Sequence, residues 1–172
     1  MGILSGNPKE EPLHYGEIFE IWTMSTAAKG VLSSYETFLN HAGDEDLKDI
    51  LHDLIQQANE DIKNCDKLLM DAELIPPPGM PSKPKARLED IPLGARFSDA
   101  EIAATISAGN AAGLVFCSHG MGISIREDVG AMFTKCHALK TGLGVRLLKM
   151  MKEKSWLVPP PLHMHKAELV EA

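Results

Sequence analysis

Between Pro76 and Pro92 the chain carries six prolines, in the run "IPPPGMPSKPKARLEDIPLGARF", with a long amphipathic stretch on either side. Proline lacks an amide hydrogen and biases the residue before it away from helical backbone, so no helix continues through this run. The chain must therefore fold as two helical halves joined by an extended connection over residues 75–97. At about 3.1 Å per residue in polyproline-like backbone, such a connection spans more than about 40 Å. A helix of about thirty residues is about 45 Å long, so the connection can run from one end of such a helix to the other. Leu88, Ile91, Leu93 and Phe97 offer apolar anchors along that path.

Each half reads as two helices. In the first, over about 13–41, Ile18, Ile21, Ser25, Ala28, Leu32, Tyr35 and Leu39 recur at intervals of three and four, and Trp22 and Phe38 widen the face. Gly43 and Asp44 supply a stop and a cap, and a second helix follows over about 45–74. Its stripe is Leu47, Leu51, Leu54, Ala58, Asp61, Cys65, Leu68, Ala72 and Ile75, which sets one carboxylate in an otherwise apolar seam. Ser98 with Glu101 three residues later forms a capping box and opens a third helix over about 98–125. Its face is Ile102, Ile106, Gly109, Gly113, Cys117 and Met121, surrounded by further alanine and glycine. A glycine inside a helix costs about 1 kcal/mol relative to alanine, so a bulky neighbour is expected to use the vacated space. Trp22 and Phe133 have the bulk for it. A turn near Arg126 leads to a fourth helix over about 126–155, with Val129, Phe133, Cys136, Leu143, Leu147 and Met150 inward, and a proline-rich tail follows over 156–172.

Only 5% of the 172 residues are aromatic while nine are methionine, a composition that suits helices better than sheets. The pattern predicts an all-α chain, one domain over 1–172. Two helical hairpins with one long connection between them is the arrangement of ferritin-like bundles. The expectation is a ferritin-like four-helix bundle with a long proline-rich crossover between helices two and three.

Charge narrows the partners. The formal net charge is −7, which provides no basic footprint for nucleic acid. Residues 1–75 hold fifteen acidic and five basic groups, against seven acidic and eight basic in residues 98–172. That asymmetry gives a solvated acidic face, or attraction between halves or between copies. The N-terminus lacks a basic start followed by an apolar run, and Gly2 and Ser5 match an acylation signal only in part, because Gly6 stands at the preferred hydroxyl position. No unbroken apolar stretch reaches the roughly 20 residues of a bilayer span. Neither nucleic acid nor membrane is expected as a partner, and the expected location is the cytoplasm. Cys65, Cys117 and Cys136 are odd in number and widely spaced, and read as reduced, buried thiols.

A di-iron bundle draws a Glu-x-x-His pair from each of two helices and a further Glu from each of the others. No Glu-x-x-His occurs here; Asp49, Phe116 and Thr134 stand three residues before His52, His119 and His137. Helices three and four contribute no mid-helix carboxylate. Asp61, His119 and His137 are the candidates for a single metal site, alone or mixed with Cys65 and Cys136, with zinc, iron or manganese as the cation. The competing reading gives the histidines polar or solvent contacts and the cysteines small core volumes, with no cofactor. No phosphate loop, dinucleotide fingerprint or calcium loop is present, and no nucleophile, base and orienter stand in a recognisable arrangement, so no catalytic residue is assigned. The glycine and alanine surface of helix three leaves room for a small-molecule pocket between helices.

The stretches "LHYGEIFEIW", "IPLGARFSDAEIAA", "GISIREDVGAMF" and "KEKSWLVPPPLH" together resemble an uncharacterised ferritin-like family of spore-forming bacilli, some of whose members are described as spore-coat proteins. The resemblance covers nearly the whole chain. It implies a compact helical bundle with a role in or around the spore coat, and it supplies no substrate or reaction. Related bundles often carry histidines in helices two and three; the matching positions here are Asp61 and Ser107, which implies a depleted metal site. The expected function is a spore-coat-associated structural or interaction protein without a catalytic centre, forming a homodimer or other homo-oligomer and meeting other coat proteins. The alternative is a ferritin-like metalloprotein that binds one ion in the bundle.

Overall fold

The computed structural model of the chain describes residues 11–163. Four long helices carry the fold: α1 (Tyr15–His41), α2 (Glu45–Asp71), α3 (Asp99–Ile123) and α4 (Glu127–Glu153). Two short 3₁₀ segments, Leu88–Asp90 and Leu93–Ala95, interrupt the connection between α2 and α3, and no strand occurs among the described residues. The class is all-α. Residues 1–10, with Gly2, Ser5 and Gly6, and the tail beyond residue 163 lie outside the described residues.

The helix starts follow from capping chemistry. Ser98 and Glu101 form the box that their spacing predicts, and Asp44 accepts the Leu47 amide at the start of α2. His14 plays the corresponding part for α1: its Nδ1 accepts the Gly16 and Glu17 amides, and Glu17 Oε2 accepts the His14 amide at 3.2 Å. Arg126, at the N-cap of α4, contributes no side-chain cap, and Asp128 in the first turn accepts the Val129 amide. Glu17 Oε1, fully buried on α1, accepts the Ile125 and Arg126 amides just before α4, each at 2.8 Å. One carboxylate thus serves the entrances to two helices, the positive ends of their dipoles.

The helix ends depend on two residues outside the usual backbone range. Glu73 has φ 60°, and the amides of Glu73 and Leu74 turn back to the carbonyls of Met70 and Leu69. This stops α2 at Asp71, three residues short of the expected Leu74. Ile75, counted at the end of the apolar stripe, is consequently 89% exposed. Ser155, with φ 58°, closes α4 in the same manner.

α1 packs along α2 and α3 along α4, while α1 meets α3 over a shorter length. Two apolar clusters fill the interior. One gathers Leu47, Leu51, Ile102, Ile106 and Leu147; the other gathers Ile21, Cys65, Leu69, Cys117 and Phe133. Phe133 supplies the close approach that the glycine-rich α3 requires, since a β-carbon at Gly120 would stand 2.7 Å from its ring. Trp22 does not share that role and is 42% exposed. Ile21 holds the inward position, and the next residue on a helix lies about 100° further round.

The connection follows α1. Lys29 Nζ donates to the Pro77 carbonyl at 2.5 Å, and Glu36 accepts from Ser82 and from the Lys83 amide. Asn40 accepts the Ala86 amide and donates to the Pro84 carbonyl. At the end of α1, Phe97 stacks edge-on against Phe38 and His41, and Asp99 accepts the Gly43 and Asp44 amides. Of the expected anchors, Leu93 fails: it lies in a 3₁₀ turn and is 81% exposed. Leu88 and Ile91 are half-buried, and polar side chains of α1 hold the earlier part of the segment, from Pro77 to Ala86. A second expectation also changes. Leu93–Ile123 is long and apolar enough, by length and composition, to cross a membrane, and 28% of its apolar window is buried. The apolarity is distributed over alanine, glycine and isolated larger residues, which is why no unbroken run stands out.

Candidate functional site

Asp61 lies on α2 in the seam between Ala58 and Cys65, and the helical repeat turns it inward, where it is 7% exposed. Gln57, one turn earlier, donates Nε2 to Asp61 Oδ1 at 2.7 Å. The Cys136 thiol on α4 donates to the same oxygen at 3.4 Å. Oδ2 carries no hydrogen bond among the described residues. Burial raises the Asp61 pKa above the ordinary aspartate range; the two hydrogen bonds and the charge of Lys140 act against that rise, and Glu60 adds to it.

The surrounding groups respond to the same burial. The Cys65 thiol is pushed up to about 12, first by desolvation and then by the charge of Asp61. Desolvation also raises Cys136 and Cys117, and it raises Tyr35, with Asp61 as the second cause for Tyr35. All three cysteines are buried and unpaired. With no cation beside them they are protonated thiols at neutral pH and poor nucleophiles.

The three candidate ligands occupy different surroundings. His119 Nδ1 lies 2.9 Å from Glu20 Oε1, between α3 and α1, with its side chain 61% exposed. His137 is half-buried next to Cys136. Because Cys136 points at Asp61, its neighbour is rotated about 100° away around α4. Among the described residues, no three His, Cys, Asp or Glu side chains stand close enough to hold a metal ion. Asp61, His119 and His137 are therefore not gathered into one ligand set.

Between the two apolar clusters the helices leave a cavity of about 370 Å³ beside Asp61. Met24, Val31, Leu54, Phe116 and Leu143 make its apolar walls. Every helix adds polar groups: Tyr35 from α1, Gln57 and Asp61 from α2, Asn110 from α3 and Lys140 from α4. The small residues of α3 shape it. The Lys140 chain occupies the space above Gly113, where a β-carbon would stand 2.9 Å from it, and a β-carbon on Gly109 would meet no atom within 4 Å. On another side, Asp61 and Cys136 border a wider cleft of about 1040 Å³ that also touches Arg126 and Asp128.

Asn110 was not among the sequence candidates. It is 7% exposed, its Nδ2 donates to the Lys140 carbonyl at 3.0 Å, and its buried Oδ1 has no partner among the described residues. The signal was its place four residues after Ile106 and seven before Cys117, on the inward face of α3. Lys140, four residues after Cys136, is the corresponding case on α4. An apolar hollow with a few convergent polar groups is the form of a site that holds and orients a small molecule.

Comparison with known proteins places these features in context. A family model described as "Protein of unknown function (DUF3231)" matches residues 1–169. The uncharacterised protein YvdQ of Bacillus subtilis is 48% identical over 166 residues, which is 96% of this chain and 98% of that protein. A crystal structure of a candidate spore coat protein from Bacillus halodurans is 48% identical, with a TM-score of 0.89. It covers 92% of this chain and 100% of that one.

Proposed function

The chain belongs to the DUF3231 family of proteins of unknown function, and from that membership we propose that it is a noncatalytic structural or interaction protein of the bacterial spore coat. The observation that carries the proposal is its likeness, over nearly the full length of both chains, to the candidate spore coat protein of Bacillus halodurans. The interior supports the same reading: Asp61 meets the Cys136 thiol, while His119, nominated with it for a metal, is paired with Glu20 on α1. The chain is made in the cytoplasm and its destination is the coat, where it meets copies of itself and other coat proteins.

The architecture suited to this role is a single-domain, ferritin-like four-helix bundle, with residues 75–97 as its crossover. The ties from Lys29, Glu36 and Asn40 to that segment favour this reading, as does the contact of Asp99 with the start of α2. Self-association is supported by apolar groups on the outer surfaces of α1 and α3, with Phe19 66% and Val115 72% exposed.

A tagged copy expressed in sporulating Bacillus subtilis tests the proposal. Fractionation should recover it with the extractable coat layer, and recovery confined to the spore core or the mother-cell lysate would sink it. The metalloprotein alternative has its own readout. Protein purified without chelator and dialysed should retain far less than one equivalent of zinc, iron or manganese per chain, and stoichiometric retention would favour the alternative.

A further inference from the structure

Charge divides the surface of the protein. Every well-exposed residue of α1, from Tyr15 to Ser34, is uncharged. The charged groups of that helix are turned to other uses: Glu17 and Glu20 are buried, Lys29 pairs with Asp66, and Glu36 holds the connection. α3 carries no Asp, Glu, Lys or Arg between Glu101 and Arg126, and His119 on its outer side is paired with Glu20. The exposed residues of α2, by contrast, include Asp46, Asp49, Asp53 and Glu60. Copies of net charge −7 repel one another, and α1 with α3 offers a broad side on which they approach without opposing like charges. Two adjacent helices about 10 Å apart and about 37 Å long present roughly 700 Å², close to the ~800 Å² per partner of a stable interface. A lipid surface suits this side less well, because the side lacks the lysine and arginine rim of a membrane-lying helix.

The same side has a projection and a recess. Phe19 lies about 200° round α1 from buried Glu17 and from buried Ile21, so it points outward, with exposed Tyr15 and Trp22 one turn to either side. Aromatic rings are enriched at the centres of protein interfaces, and this stripe of three belongs to a chain that is 5% aromatic. The recess is the mouth of the cavity of about 370 Å³; its exposed lining residues, Ala27 and Val31 on α1 and Ala112 on α3, place it between the two helices. The pairs His14–Ile123 and Glu20–His119 show that α1 and α3 run antiparallel and meet at the end that carries the aromatic stripe. Phe19 and Val31 are separated by about 18 Å along α1. A two-fold axis lying in this side, perpendicular to α1 and midway between them, sets the Phe19 of each copy against the recess of the other. Val115, one turn along α3 from His119, lies near that axis.

We propose that α1 and α3 form a two-fold interface between two copies of this chain, with Phe19 of each copy seated in the recess lined by Ala27, Val31 and Ala112 of the other. Val115 meets its own counterpart at the axis. This pairing rests on the self-association argued above and gives it a surface and a register.

Cysteine substitutions in the full chain test the register, read as covalent dimer on a denaturing gel after treatment with a short bismaleimide. Phe19→Cys mixed with Val31→Cys should give the covalent dimer, and each variant alone should give none, because like positions stay about 18 Å apart along the helices. Val115→Cys alone should give it. The native Cys65, Cys117 and Cys136 are buried and leave the background low. Phe19→Ala, at an exposed position, should keep the helical content of the parent and weaken dimerisation about thirtyfold in sedimentation equilibrium, as loss of a central interface ring does. A dimeric parent that yields no cross-link between positions 19 and 31, or whose dimerisation Phe19→Ala leaves unchanged, overturns the pairing and leaves self-association standing. A monomeric parent overturns both, and its binding to phosphatidylcholine vesicles would assign the same side to lipid instead.

Discussion

Asp61 is an acid whose surroundings favour its neutral form, and this sets the direction of its effect on stability. With the folded-state pKa raised by burial, the native chain holds its proton at pH values where the unfolded chain, at about 3.9, has lost it. The stabilisation from the neutral carboxyl is complete below that unfolded value and is lost as pH rises through the folded one. Asp61→Asn keeps an oxygen for Gln57 and Cys136 to donate to and removes the charge. Its denaturant midpoint should match that of the parent near pH 4 and exceed it progressively toward pH 8. A variant less stable than the parent at neutral pH would mean that the fold requires the ionised carboxylate. The adjacent thiols belong to the same local environment: raised by burial and by this acid, they fill volume and donate weakly rather than react.

At the scale of one helix, α3 shows that identical residues carry opposite constraints. Gly120 faces the buried ring of Phe133, so Gly120→Ala forces that ring aside and should cost about 1–3 kcal/mol. Gly109 faces open space, and Gly109→Ala should stabilise by about 0.5–1 kcal/mol through helix propensity and a less free unfolded chain. Urea denaturation of the pair checks both, and equal signs would contradict the contrast. The sequence marked α3 as crowded with small residues and placed a bulky partner against it, and helical periodicity went no further. It could not separate Trp22 from Phe133, because both lie on wide apolar faces and only rotation about α1 and α4 decides which turns in. It placed Asp61 on an inward seam because its neighbours repeat at three and four. Asn110 remained hidden because a lone amide among alanines and glycines reads as a break in the face. The role of Glu17 at the entrance to α4 was also out of reach, since it joins residues more than a hundred positions apart.

Across the whole molecule, the charge asymmetry of the sequence becomes a set of ties between halves. Asp53 pairs with Arg146, and Asp44 and Asp46 with Lys154, so acidic α2 is fastened to the more basic α4. The all-α class was legible from periodicity and proline alone. The outer apolar surface was not, because the count of apolar residues on α3 says nothing of how many find a partner within one copy. That surface leads to a prediction for the assembly. Light scattering should report about twice the 18.7 kDa chain mass, and Val115→Glu, on a residue 72% exposed, should return it to a single chain with little change in thermal midpoint. A monomeric parent would remove self-association from the proposed role.

The connection lashed to α1 also means that peptide continuity is not what keeps the halves together. A protease cutting within the exposed run 78–87 would leave two fragments, each a complete helical pair. Asp99 would still hold the amides of Gly43 and Asp44 across the cut, and Asp53 and Asp44 would still pair with Arg146 and Lys154, so the nicked molecule would keep its shape in two pieces.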